Sequence, residues 1–258
     1  MLERIPRNRY LDRDGRHGAH AVKSTSTPTR IDRLTQYVLE GQPDAAIGDE
    51  LRGWVEASRF RAFVEAHRDK IRKKLRGASD TDARQDVRAE LRVAQLLLAD
   101  RRMELEFEAY GVGNVGPDFT VTYRGERPFN VEVTRLHRDP RVSTYGGPLL
   151  AKLRQLPPSV PNVVIVAIDG DRADAFDIES ATRAMRQRAE AGDDAFFTSR
   201  GLDGSRGFHA RYLRLGGVIA WADAGSGDAR ATLWTNRSAR IGVPARAGRA
   251  VVASLRAG

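Results

Sequence analysis

The sequence predicts an α/β protein: a mixed β-sheet flanked by helices and preceded by a helical N-terminal subdomain. Three observations lead there. Residues 29–77 carry apolar side chains at helical spacing. After residue 80, helix-period and strand-like segments alternate. Residues 162–168, NVVIVAI, form a continuous apolar run of the kind found in a strand buried on both faces.

Taken in order, residues 1–28 hold Arg, Asp, Gly, His, Ser and Thr with few apolar side chains. A stretch that buries so little cannot offset the entropy of ordering, so a flexible basic arm is expected. Ile31, Leu34, Val38 and Leu39 recur at helical spacing, as do Phe60, Phe63, Val64, His67 and Ile71. The GQPD stretch at 41–44 separates the first helix from the next. The basic run Arg72-Lys73-Lys74 closes the segment before the Gly77-Ala78-Ser79 turn. The expected organisation is an arm at 1–28, a helical subdomain at 29–77 and an α/β domain at 78–258. Asp80-Thr81-Asp82 supplies capping oxygens for a helix reaching about residue 102. Strands are expected at 103–109, 117–123, 128–135 and 162–168, with a helix from about 147 to 156 that Pro157-Pro158 stops. A helix fits 178–191, strands fit 215–222 and 230–235, and Pro244 suits the first turn of a terminal helix.

Composition narrows the class. With 41% hydrophobic and 30% charged residues in 258, the chain reads as a soluble globular protein. No stretch approaches the ~20 apolar residues of a membrane helix, so no membrane partner is expected. The polar start, MLERIPRNRYLDRDG, offers no apolar signal core, and a cytoplasmic location is the default expectation. The absence of cysteine excludes disulfides and thiolate chemistry. The net charge of +9 is uneven: residues 1–77 carry 17 Lys/Arg against 11 Asp/Glu. Excess positive charge draws polyanions such as nucleic acid, although an arginine-rich composition inflates basic counts everywhere.

The informative stretch is GPDFTVTYRGERPFNVEVTRL, residues 116–136. A three-residue loop, Arg124-Gly125-Glu126, would join two strands, with glycine free to take positive φ. That register pairs Phe119 with Val131 and Val121 with Phe129 on one apolar face. It sets Asp118 across from Glu132, and Thr120 across from Asn130, on the other. A one-residue slip would invert both faces, so the apolar pairs determine the register. Directly opposed residues have Cβ atoms roughly 5 Å apart. Two carboxylates that close repel, and a divalent cation with a preference for hard oxygen, Mg²⁺ or Mn²⁺, relieves the repulsion. The plainer reading makes Glu132 a solvent-facing strand residue, but Glu is depleted in strands and this one lies within an apolar run. Glu90 adds a third carboxylate, falling within or beside the helical apolar stripe of Val87, Leu91, Ala94, Leu97 and Leu98. Aimed at the core it needs a partner or a metal; at the stripe's edge it reaches solvent or an arginine.

The order of these motifs resembles the PD-(D/E)xK, or restriction-endonuclease-like, nuclease superfamily. The matching residues are Glu90 on a helix, Pro117-Asp118, Glu132-Val133-Thr134, and Lys152 with Gln155 on the following helix. The resemblance implies that Asp118, Glu132 and the backbone carbonyl of Val133 bind metal, with Glu90 assisting. It also implies that Lys152 and Gln155 join the catalytic set. The chain departs from the pattern at Thr134, which stands where the ExK lysine is expected. Lys152, the one lysine after residue 77, is the candidate to supply that ammonium from the next helix. Arg135 points to the other face of a regular strand. The implied activity is Mg²⁺- or Mn²⁺-dependent hydrolysis of phosphodiesters, in DNA before RNA, with a homodimer admitted. Two alternatives stay open: a nuclease-like nucleic-acid-binding module without catalysis, favoured by the lost lysine, and an interaction component binding an acidic partner.

Other motifs carry less. Glu104, Glu106 and Glu108 alternate along a strand as one solvated face. GVGNVG at 111–116 precedes a strand and not a helix, unlike a phosphate loop. His137 follows the carboxylate strand as a loop histidine, and Trp234 has a core role or a base-stacking role open to it.

Overall fold

A computed structural model describes residues 29–40, 45–110, 116–136, 149–169, 177–223 and 229–258. The arm expected at 1–28, the residues 111–115 of the glycine-rich stretch and His137 lie outside the described residues.

Four helices come first: α1 (Arg30–Leu39), α2 (Ala45–Trp54), α3 (Ser58–Gly77) and α4 (Thr81–Ala99). Thr29 and Asp32 form a reciprocal capping box on α1, and Asp80 Oδ1 accepts from Ala83 N at 2.8 Å to start α4. Each such cap stabilises its helix by about 1 kcal/mol. The strands β1 (Met103–Phe107), β2 (Phe119–Tyr123) and β3 (Phe129–Arg135) follow. A helical turn at 149–153 then precedes β4 (Asn162–Asp169). Next come α5 (Ile178–Glu190), α6 (Asp194–Thr198), α7 (Gly204–Tyr212), β5 (Leu215–Asp223), β6 (Arg230–Thr235) and α8 (Ala245–Arg256). Among the described residues no helix is long and apolar enough to cross a membrane.

The six strands form one mixed sheet in sequence order, β1 to β6. The pairs β1–β2, β2–β3 and β5–β6 are antiparallel, whereas β3–β4 and β4–β5 are parallel. Parallel central strands must be covered on both faces, and two apolar clusters do so. One joins α1–α4 and α8 to Phe119, Val121, Phe129 and Val131. The segment expected as an N-terminal helical subdomain thus shares a core with the sheet, Phe63 meeting Phe107 at 5.7 Å between ring centroids. The other cluster joins residues 149–156 and α5–α7 to Val164, Val166 and Val218. Each fully buried Leu, Ile or Phe here stabilises the fold by about 1.5–3 kcal/mol relative to exposure.

The β2–β3 register is the one the sequence predicts: Phe119 with Val131, Thr120 with Asn130, Val121 with Phe129. The turn is centred on Gly125, as that register requires. Arg124 and Gly125 both take positive φ, 54° and 68°, and Glu126 N donates to Tyr123 O at 2.9 Å. Two left-handed residues give the turn the twist of the flanking strands.

Below the hairpin an amide pair locks β3 to β4. Asn130 Nδ2 donates to Asn162 Oδ1 at 2.9 Å, and both residues are fully buried. Asn162 Nδ2 donates to the carbonyls of Pro157, Val160 and Arg214, each at 2.9 Å. Buried amides so fully bonded avoid the desolvation cost of an orphaned donor and hold one alignment.

Candidate active site

The hairpin register carries Asp118 to the end of β2, beside Glu132. Asp118 Oδ2 accepts from Val133 N at 2.8 Å, and Glu132 Oε2 accepts from Asp118 N at 3.2 Å. This reciprocal hook between backbone and side chain seats both carboxylates, which are 8% and 1% exposed. Val133 therefore meets the site through its N–H. The structure brings Glu90 to the same place from α4, where it is buried between Val87 and Leu91.

Two ammonium groups meet these carboxylates. Lys152 Nζ, from the helical turn at 149–153, donates to Glu132 Oε1. Lys74 Nζ, from the last turn of α3, donates to Glu90 Oε2 and, at 3.2 Å, to Asp118 Oδ1, and lies 3.4 Å from Glu108 Oε1. Lys152, Gln155, Asp118, Glu132 and Glu90 together line a cavity of about 580 Å³. Thr134 shares the Glu132 face of β3, while Arg135 turns to α4, 3.6 Å from Asp86 and 3.9 Å from Asp82.

Several participants escape sequence reasoning. Lys70, Lys73 and Lys74 recur at i, i+3 and i+4, so they share one face of α3, and all three line the cavity. The run reads from sequence as a helix terminus, yet a compositional signal was present. The chain has 38 arginines and five lysines, and four of the five (Lys70, Lys73, Lys74, Lys152) line this one cavity. Glu108 departs from the expected solvated face. Glu104 and Glu106 are exposed, but Glu108 takes a φ of 47° and turns towards Lys74 and Lys70. A non-glycine residue held there is a local strain that the surrounding contacts must offset; Glu108 N donates to Asp118 O at 2.9 Å. Phe107 lies under the lysines, its centroid 5.3 Å from Lys74 Nζ and 6.0 Å from Lys70 Nζ. Gly116 closes tightly on Tyr110: a Cβ at 116 would fall 2.8 Å from Tyr110 Cβ.

Burial, reinforced by the charge of Asp118, pushes Glu90 up to about 8 and Glu132 up to about 7, against the opposing pull of Lys74 and Lys152. Burial would lower both lysines, but the surrounding carboxylates overcome it and hold them firmly protonated. Both glutamates bind protons more tightly folded than unfolded, where their value is 4.5. Their contribution to stability is therefore complete below pH 4.5 and is lost as pH rises through about 7 to 8. The melting temperature is expected to fall between pH 5 and 8.5 in chelator, with a shallower slope in Glu90→Gln. A flat or rising profile, or an unchanged slope in the variant, would contradict this arrangement.

Among the described residues no group of three or more His, Asp or Glu side chains converges to hold a metal ion. The donor chemistry nonetheless fits one. The oxygens of Asp118, Glu132 and Glu90 are hard and buried, and the ammonium bridging Asp118 to Glu90 marks a position where positive charge is held.

Comparison with protein-family models, with characterised proteins and with solved structures found no match to the chain. The functional reading therefore rests on the geometry.

Proposed function

We propose that the chain is a metal-dependent nuclease of the PD-(D/E)xK type, hydrolysing phosphodiester bonds in DNA, with RNA as the alternative substrate. The observation that carries the reading is the contact of Lys152 with Glu132, on the face where Thr134 replaces the expected lysine. An ammonium reaching that carboxylate from the next helix supplies the charge the strand lacks. Asp118, Glu132 and Glu90 would hold Mg²⁺ or Mn²⁺, which when bound lowers the pKa of water and polarises a phosphoryl oxygen. Lys152 would offset charge gathering on the phosphate oxygens, a role a compact ammonium fills well. Lys70 and Lys73 draw the phosphate backbone into the cavity without reading sequence, and Gln155 offers it an amide donor.

The test is cleavage of plasmid, linear DNA and RNA with millimolar Mg²⁺ or Mn²⁺. Activity is expected to fall by at least about a hundredfold in Asp118→Asn and in Glu132→Gln, and to vanish in chelator. Cleavage that survives chelation, or both substitutions, removes the assignment.

A second reading is favoured by Lys74, whose ammonium already bridges Glu90 and Asp118. A site neutralised from within suits a nucleic-acid-binding module without catalysis. That reading requires salt-sensitive retention of DNA or RNA unaffected by either substitution, and no cleavage under any divalent ion.

A further inference from the structure

A second cavity, of about 530 Å³, lies between α5 and the end of β6. Its charged lining is three arginines, Arg183, Arg186 and Arg237, against one carboxylate, Glu179. Glu179 accepts from Arg183 at 3.0 Å, both side chains being largely exposed. Arg186 is likewise 3.7 Å from Glu190, both largely exposed. Exposed i,i+4 pairs of this kind are weak, so the guanidinium groups remain available to a phosphate. Two aromatic side chains line it: Tyr212, which is buried, and Trp234, which is half-buried and so the one with a face to offer, unlike Trp221, which is 1% exposed.

The turn that carries Arg237 is built rigidly. Asn236 is buried, its Nδ2 donating to the carbonyls of Tyr212 and Leu215 at 2.9 Å each, and its Oδ1 accepting from Ser238 N at 3.0 Å. Arg240 N donates to Leu213 O at 2.8 Å, closing the far side. A half-exposed indole and a pre-set turn bearing guanidinium groups make a surface whose ordering cost is met before a ligand arrives.

Strand register relates this cavity to the first. Glu132 pairs with Val164, Val164 with Val218, and Val218 with Trp234. Residues in one cross-strand row share a sheet face, and three strand spacings amount to roughly 14 Å.

We infer that the cavity between α5 and β6 is a second, non-catalytic binding site for single-stranded nucleic acid, with a base against Trp234 and the backbone phosphates on Arg183, Arg186 and Arg237. The site deepens the nuclease reading by naming a substrate form, but its chemistry needs neither metal nor catalysis. Stacking on an aromatic face tolerates any base, and arginines flanking it follow the backbone. A paired base in a duplex cannot offer its face to Trp234.

The experiment is equilibrium binding in chelator, on the Glu132→Gln background, with a short oligothymidylate, a duplex of similar length and a free mononucleotide. The oligonucleotide is expected to quench tryptophan fluorescence. Trp234→Ala is expected to weaken oligonucleotide binding about tenfold or more while leaving the duplex unchanged. Should Trp234→Ala fold poorly, the exposed pair Arg183→Ala with Arg237→Ala carries the test. It should weaken oligonucleotide binding and reduce the slope of log affinity against log salt by about 1.4. Single-strand binding at full strength in both variants overturns the assignment, as does a mononucleotide that binds as tightly as the oligonucleotide. Because no step requires cleavage, loss of this site and loss of nuclease activity are separately visible.

Discussion

Lys74→Met is expected to cost about 3–5 kcal/mol of stability at pH 8 in chelator, the usual penalty for removing one member of a buried charge pair. Lys74 bridges Glu90 and Asp118 and lies near Glu108, so methionine fills the volume but leaves three carboxylates without that cation. Two signatures distinguish this from a packing defect. The loss should shrink towards pH 6, because Glu90, already pushed up to about 8, takes a proton. It should also shrink when millimolar Mn²⁺ or Mg²⁺ is added, since a bound cation stabilises the folded chain by mass action. Denaturant unfolding at two pH values, with and without metal, measures both. A variant as stable as the parent, or one indifferent to pH and metal alike, would remove Lys74 from the charge balance.

In cleavage, the largest effect outside the carboxylates is expected at Lys152. Lys152→Ala should reduce the rate constant by about 10²–10³-fold, the scale seen when a preorganised charge-stabilising donor is deleted. Lys152→Arg should remain impaired, because a planar guanidinium cannot place a point charge on Glu132 as an ammonium does. Thr134→Lys in the parent should change little, since the cationic role is filled. In the Lys152→Ala background the same substitution should restore at least about tenfold, because position 134 shares the Glu132 face of β3. Single-turnover measurements across these variants decide the matter. Undiminished cleavage by Lys152→Ala would show that the ammonium only neutralises its neighbour.

Much of this scaffold is legible locally. Six strands and the helices α4, α5 and α8 follow from period, capping and the proline stops. The hairpin register follows from two apolar pairs, and that register alone brings Asp118 to Glu132. Lys152 could be sought because the strand lacked a lysine. Other parts are set by long-range contacts that no local pattern encodes. Nothing between 192 and 214 signals helix. There α6 is a single short turn capped by Asp193, and α7 begins at Gly204 and contains Gly207. Their helicity comes from burying Phe197 and Phe208 against the second cluster. Lys74 reads as one of a basic run until α3 is laid against α4. Glu108 reads as the outer edge of β1 until the chain turns left-handed at that residue.

The Asn130–Asn162 pair has a consequence at a distance. Asn130 precedes Glu132 by two residues on the same strand face, so whatever aligns β3 with β4 also aims the acidic centre. On the proposed nuclease reading, neither amide needs to touch a substrate for its loss to register in turnover. A lesion at 162 would leave secondary structure outwardly sound while the reactive groups drift out of aim, and a screen for defective chemistry would then recover a residue whose work is wholly architectural.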